Sequence, residues 1–282
     1  SQLTDDFKGK VIVLGTPAEE NNGAKIDMVE AGVFDDIDVA LMAHPSNETA
    51  VAIECLAMEA LQFEYTGLSA HAAACPEKGI NALDGVIGLF NNINAMREHI
   101  LPSARIHGII SEGGVAANIV PERAVGQFYV RATRKSYLQT LVEKVKNCAK
   151  ASALATGASL KISNYEKSYD DMVPAPSFNK LVEDSFIRVG IENINKGRAS
   201  LGSADAGNVS YVCPTVHAMF DIGGKELAGH TRAFAEATQS PFAMEMMDKV
   251  TCGLSLAVIR LMQNQDLLNT IKEEYEEILK SH

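Results

Sequence analysis

The chain has 282 residues, 46% hydrophobic and 22% charged, which excludes disorder as the main state and leaves ample material for a sizeable core. With 25 Lys+Arg against 36 Asp+Glu the net charge is −11 and no basic run occurs, so a nucleic-acid partner is excluded on the ground that such affinity comes mostly from neutralising phosphates. Five scattered cysteines without a C-x-x-C pair argue against a disulfide framework and point to a reducing cytoplasm, no apolar run reaches the ~20 residues of a membrane span, and no signal peptide is expected.

In chain order, residues 10–14 are a short apolar run stopped by Gly15-Thr16-Pro17, which predicts a buried strand of an α/β sheet. A short helix is predicted over 23–31 with Gly32 as its C-terminal cap, then a second buried strand over 39–42 ended by His44-Pro45. The character changes near residue 56, where Leu61, Phe63 and Tyr65 alternate with Gln62 and Glu64 as in a half-exposed strand. Ile80, Leu83, Ile87 and Phe90 recur at helical spacing. Strands follow over 104–111 and 124–132, then a helix opened by Ser136 and Gln139 as a capping box and closed by Gly157, and a last strand around Leu160 and Ile162. This β-α-β-β-α-β order is the split βαβ, ferredoxin-like motif, read as an inserted domain over 56–168. A helix with Phe178, Leu181, Val182, Phe186 and Val189 follows, then a strand over 215–222, a helix over 241–262 with Ser240 as N-cap and Pro241 at N1, and a charged helix over 265–280. The expected fold class is α/β: an outer catalytic sheet domain made of 1–55 and 169–282, carrying the α+β insertion.

Several residues can carry chemistry. Glu19 and Glu20 follow the first predicted strand, where open α/β sheets place ligand sites. Adjacent carboxylates diverge, so one can ligate a metal while the other moves a proton, the division a hydrolase with a metal-bound water needs. Alone, the pair reads rather as an exposed acidic turn, since such pairs are common. His44 follows the second predicted strand, and imidazole with carboxylate suits zinc, manganese or cobalt; a backbone-capped strand-end histidine would look the same. His230, in Gly229-His230-Thr231, is a loop histidine beside a strand end. His71 lies after the first strand of the insertion and reaches substrate if that domain is a lid, or otherwise stabilises a turn. Asn118 and Arg131 complete the polar candidates; a strand arginine can grip a carboxylate bidentately or simply be solvated. Gly202-Ser203-Ala204-Asp205 lacks the G-x-S-x-G elbow of a serine hydrolase, no phosphate-binding glycine motif occurs, and the cysteines read as small core hydrophobes.

Taken as an ordered set, residues 9–20, 43–45, 67–76, 105–114, 117–121, 202–211 and 229–230 resemble segments of the dizinc aminoacylase/carboxypeptidase metallopeptidases, the M20 peptidase family. The most similar branch is that of the amidohydrolases, with aminobenzoyl-glutamate hydrolases and indole-acetyl-amino-acid hydrolases, and the resemblance spans essentially the whole chain. It implies a metal-dependent amidohydrolase cleaving a dipeptide or N-acyl amino acid. Glu19 would be the general base, and Glu20, His44 and His230 ligands to two divalent ions, zinc or manganese/cobalt. His71 would bind the oxyanion, in this family from the partner subunit of a dimer. Asn118 and, more weakly, Arg131 would contact substrate, and the inserted lid would carry homodimerisation. The family places a first metal-ligand motif upstream of the Glu-Glu segment, whereas only 18 residues precede Glu19 here. The chain is therefore expected to be an N-terminally truncated form, weakly active or inactive, with weak or absent metal binding. The alternative is a catalytically inactive binding and dimerisation module. A cytoplasmic location without nucleic-acid or membrane partners is expected.

Overall fold

The chain passes between two units twice, at Cys55/Leu56 and at Asp170/Asp171, so that Leu56–Asp170 forms one unit and the flanking segments form the other. The computed structural model describes residues 9–20, 22–196, 198–199 and 202–282.

The flanking unit opens with α1 (Ala24–Glu30), closed by Gly32 in the left-handed region at φ 72°. β1 (Ala40–Ser46), β2 (Thr49–Ala50) and β3 (Ile53–Glu54) follow. The inserted unit then runs β4 (Ala57–Thr66), α2 (Ala82–Met96), β5 (Arg105–Glu112), β6 (Arg123–Ala132), α3 (Lys135–Thr156) and β7 (Ser159–Asn164). Its antiparallel sheet has the order β5-β6-β4-β7, with β4 and β6 paired over ten residues from Ala57↔Ala132 to Thr66↔Arg123. Because strand side chains alternate, Leu61, Phe63 and Tyr65 all enter one core with Phe128 of β6, Val86 and Leu89 of α2 and Leu141 of α3. Each such fully buried side chain contributes roughly 1.5–3 kcal/mol. α3 starts two residues earlier than predicted, behind Arg134, which makes no side-chain cap bond. Ser136 therefore lies inside the first turn, and the expected capping box does not form. At the other end Gly157 caps the helix at φ 78°.

The flanking unit resumes with α4 (Pro176–Arg188), β8 (Ile194–Asn195), β9 (Arg198–Ala199), α5 (Ala206–Ser210), β10 (Thr215–Asp221), α6 (Arg232–Ala237), α7 (Pro241–Gln263) and α8 (Gln265–Ser281). One sheet has the order β1-β10-β2-β8, and β3 pairs with β9. β1 and β10 are parallel in register from Ala40↔Thr215 to Ser46↔Asp221. Val216, Ala218 and Phe220 of β10 pack with α4 and α7 in the main core of this unit, while Met219 turns to a second cluster with Ala50, Ile53, Cys55 and Met172. Ser240 caps α7 as predicted, its Oγ accepting from Ala243 N at 3.1 Å.

Two strand expectations change. β1 continues through His44 and Pro45 to Ser46, because among the described strands it pairs with β10 alone, and such an edge tolerates a residue without an N–H. Residues 10–14 do not form a strand: Val11, Ile12 and Val13 are 61%, 45% and 92% exposed. An apolar run becomes a strand only where a neighbour supplies N–H and C=O partners, and this run has no ladder among the described residues. Among the described residues, no helix is long and apolar enough to cross a membrane.

Candidate active site

In the flanking unit the backbone turns sharply at Ala18, which lies in the left-handed region at φ 60°, and its carbonyl accepts from both Asn22 N at 2.9 Å and Gly23 N at 2.8 Å. This loop carries Glu19 and Glu20 directly ahead of α1. Glu20 Oε2 stands 3.9 Å from His230 Nδ1, both side chains being largely exposed. His230 is itself left-handed at φ 58°, and with Ala18 it is the one other non-glycine residue of positive φ among the described residues. Such conformations cost about 1–3 kcal/mol each, persist only where the surroundings over-determine them, and cluster at functional sites.

Glu19 is half-buried. Burial, with the carboxylates of Glu20 and Asp205 nearby, holds its carboxyl above the usual range, against the opposing effect of Lys25 and His230. A carboxylate raised toward neutrality is a better proton acceptor and donor than an ordinary surface glutamate. Beside it lies an ion pair that the motifs do not announce: Lys25 Nζ donates to Asp205 Oδ1 at 2.8 Å, with the two side chains 7% and 0% exposed. Lys25 N also donates to Asp205 Oδ2 at 3.2 Å. The signal in the sequence is slight, a lysine next to Ile26 on the face of α1 that is buried.

His44, half-buried in β1, donates from Nδ1 to the Pro45 carbonyl at 2.6 Å, which leaves the Nε2 lone pair for a ligand. Its ring meets that of His217 edge-on, centroids 6.0 Å apart. His217 is a further residue that sequence reasoning missed; a polar residue breaking the apolar run of a strand buried on both faces is the signal that marks it. Burial, helped by His44 and Lys25, drops its pKa to about 3, so it is neutral. Burial, with Glu19 and Asp171, pushes the Cys55 thiol up to about 12, which leaves it a core residue and no nucleophile.

A divalent ion finds suitable donor types here: the Glu20 carboxylate faces the His230 imidazole, and His44 has the tautomer that metal-ligating histidines use. Structural and catalytic zinc sites use three or more protein ligands. No group of three His, Cys, Asp or Glu side chains converges among the described residues, and His44 stands with His217 rather than with the Glu20–His230 pair.

The remaining predicted residues lie in the inserted unit. His71 pairs with Ile119 in a short bridge, and Ala72 N donates to Asn118 O at 3.0 Å, so the loops carrying His71 and Asn118 run side by side. His71 Nδ1 accepts from Ala73 N at 3.2 Å and Ala74 N at 3.1 Å. Both amides can only donate, so the proton of the neutral ring sits on Nε2, exposed and available to an acceptor. Arg131 is not brought to them. It faces Met58 at the far end of the β4–β6 ladder from Thr66↔Arg123, and the eight intervening steps span roughly 27 Å at about 3.4 Å per residue. Its guanidinium lies 5.5 Å from the centre of the Tyr129 ring.

Residues 60–156 match a family model described as a peptidase dimerisation domain, that of the M20 peptidases. The chain is 37% identical over 269 residues to the Xaa-Arg dipeptidase of Homo sapiens, covering 94% of this chain and 62% of that protein, so it spans less than two thirds of that relative. It is 33% identical over 168 residues to a p-aminobenzoyl-glutamate hydrolase chain of Escherichia coli, covering 59% of this chain and 35% of that one. In fold it is similar to the aminobenzoyl-glutamate utilization protein of Klebsiella pneumoniae, with a TM-score of 0.65 and 21% identity over 86% of this chain and 60% of that chain. Residues 60–156 thus match an M20 peptidase dimerisation domain, and over most of its length the chain is similar to a dipeptidase.

Proposed function

We propose that this chain is the part of a metal-dependent amidohydrolase that cleaves the amide bond of a dipeptide or an N-acyl amino acid, with Glu19 as general base. The observation that carries this reading is the half-buried Glu19, its carboxyl held above the usual range, on the same strained turn as Glu20, which faces His230. The names of its relatives, a dipeptidase and an aminobenzoyl-glutamate hydrolase, support the substrate class.

Glu20, His44 and His230 would be ligands to two divalent ions, zinc, manganese or cobalt, shared between those ions and completed by donors outside this set. When bound, such an ion acidifies water and polarises the amide carbonyl. Glu19 takes the proton from the attacking water and returns it to the leaving nitrogen, a shuttle favoured by a carboxyl pKa lying closer to neutrality. The Nε2–H of His71 donates a hydrogen bond to the developing oxyanion, from the partner protomer of a homodimer formed through the inserted domain, and Asn118 beside it contacts the substrate. Arg131 is the weaker candidate, for a substrate carboxylate. In this reading residues 56–168 act as lid and dimerisation domain on a catalytic domain made of 1–55 and 169–282.

The test is Glu19→Gln, which keeps size and hydrogen bonding but cannot shuttle a proton. Hydrolysis of dipeptides and N-acyl amino acids in the presence of zinc, manganese or cobalt should fall by about 10²–10⁴-fold, with little change in KM. Undiminished hydrolysis in Glu19→Gln, or hydrolysis by the wild type that persists after metal is stripped with chelator, would end this assignment.

A further inference from the structure

We propose that Lys25 and Asp205 are positioning residues: a buried ion pair that holds the Glu19–Glu20 turn in place. The inference rests on the reading of Glu19 as the general base and adds two residues to that site.

The pair is an odd device for stability alone. Taking two charges out of water costs several kcal/mol per ion, and well-packed apolar residues of similar volume often serve a core as well or better. Asp205 is nonetheless fully buried and Lys25 nearly so. The bond joins residues 180 positions apart, from the start of α1 to the segment that opens α5. Asp205 does two things there. It neutralises the ammonium group, and through Oδ2 it accepts the N–H of Lys25, one of the first-turn amides that α1 leaves open because Gly23 has no side chain to cap them.

The turn is coupled to that anchor through the backbone. Ala18 O accepts from Asn22 N and Gly23 N, so the loop bearing Glu19 and Glu20 closes on the residues immediately ahead of α1. α1 is further seated by Met28 and Val29, which pack in one cluster with Phe34, Val209 of α5 and Cys213. Fixing Lys25 therefore fixes the first turn of α1, and that in turn fixes Gly23, Ala18 and the two carboxylates. The same charges bear on the site: both Lys25 and Asp205 act on the Glu19 carboxyl, in opposite senses. A general base displaced by about 1 Å loses on the order of 10²-fold in rate, so a rigid anchor beneath it is of direct value to the proposed chemistry.

The experiment compares the whole wild-type protein with Lys25→Arg, Asp205→Asn and the double variant Lys25→Met/Asp205→Leu. The double variant replaces the ion pair by apolar groups and so keeps the fold where a single substitution, leaving one buried charge unpaired, risks losing it. Two readouts are taken on folded protein, judged by an unchanged melting temperature and circular dichroism. The first is amide hydrogen exchange of the peptide spanning residues 18–25, which should be about 10-fold faster in the double variant. The second is hydrolysis, in which kcat should fall by about 10–100-fold with KM held within a few-fold, while Lys25→Arg retains most of kcat. Asp205→Asn keeps an acceptor for the Lys25 N–H but not the charge, and should fall between the two. A folded double variant with wild-type exchange over 18–25, or with wild-type kcat, overturns the proposal. A wild type that hydrolyses nothing with any of the three metals defeats the assignment of function instead, and the exchange measurement still decides whether the pair holds the turn.

Discussion

His217→Leu tests how the centre of the flanking unit is built. His217 is 4% exposed in the middle of β10, and neither ring nitrogen has a hydrogen-bond partner among the described residues. A buried polar group without a partner costs about 1–3 kcal/mol, so leucine, of similar volume and without polar atoms, should raise stability at neutral pH by about 1 kcal/mol. The pH dependence is a sharper check. Burial first, then His44 and Lys25, lowers the folded-state pKa from 6.5 to about 3. Between those values the unfolded chain binds the proton and the folded chain does not, so stability falls as the pH falls. Near pH 7 both states are neutral and nothing is lost. At 1.36 kcal/mol per unit, going from pH 7 to about pH 4.5 costs roughly 2.5 kcal/mol through this one group. Urea denaturation of both proteins at the two pH values measures the difference directly: the advantage of the variant should widen by that amount on acidification. A variant less stable than wild type at neutral pH, with the same pH dependence, would mean that the imidazole is satisfied and that its burial is not a penalty.

Substitutions at three further positions probe the inserted unit, each followed by thermal or chemical denaturation. A Cβ at Gly67 would run into the carbonyl oxygen of Ile80, which belongs to backbone that cannot swing aside; Gly67→Ala should cost about 1–3 kcal/mol or more, and a neutral outcome would show that the β4 exit loop is free to shift. At Gly157 a Cβ meets nothing within 4 Å, so the loss of about 1 kcal/mol expected for Gly157→Ala comes from φ 78° alone, and Gly157→Asn should recover part of it. Tyr65→Phe removes the hydroxyl that donates to Ala149 O at 3.0 Å inside the core, a bond made in addition to the helical ladder of α3, and should cost about 1 kcal/mol. An unchanged midpoint would show that this additional bond adds nothing to stability.

The inserted unit was readable because its determinants are local. The period-2 pattern of Leu61, Phe63 and Tyr65 and the helical spacing of Leu138, Leu141, Val142 and Val145 each name the face that is buried, and each residue lies in the single core those faces form. The order of elements then restricts the sheet to few arrangements. The flanking unit defeated the same reasoning at residues 10–14. Hydrophobicity there is a property of the run, but strand formation is a property of the run and its neighbour together, and the sequence of the run carries no information about whether the neighbour is present. The short strands β2, β3, β8 and β9 escaped for a related reason: two residues are too few for any period to show.

The site divides along the same line. Glu19, Glu20 and His230 were visible as chemistry-bearing residue types at element ends, a pattern that local sequence can carry. Lys25 was not, since a lysine on a short helix reads as a solvated face and is almost never fully buried without a partner. Its burial follows only from Asp205 arriving 180 positions later with a full charge and a spare oxygen for the Lys25 amide. Backbone strain is hidden in the same way. Neither Ala18 nor His230 is a residue type that favours positive φ as glycine does, so nothing in the residue itself announces the conformation. At Ala18 the holding bonds are visible: two amides converge on one carbonyl, and the helix they lead into is tied down by Asp205. If that tie is what keeps Ala18 left-handed, relaxing Ala18 by Ala18→Gly should stabilise the turn in the wild type and partly restore its hydrogen-exchange protection in Lys25→Met/Asp205→Leu, because glycine accepts that φ without support. Equal exchange in the presence and absence of Ala18→Gly would break the link between the buried pair and the strained turn.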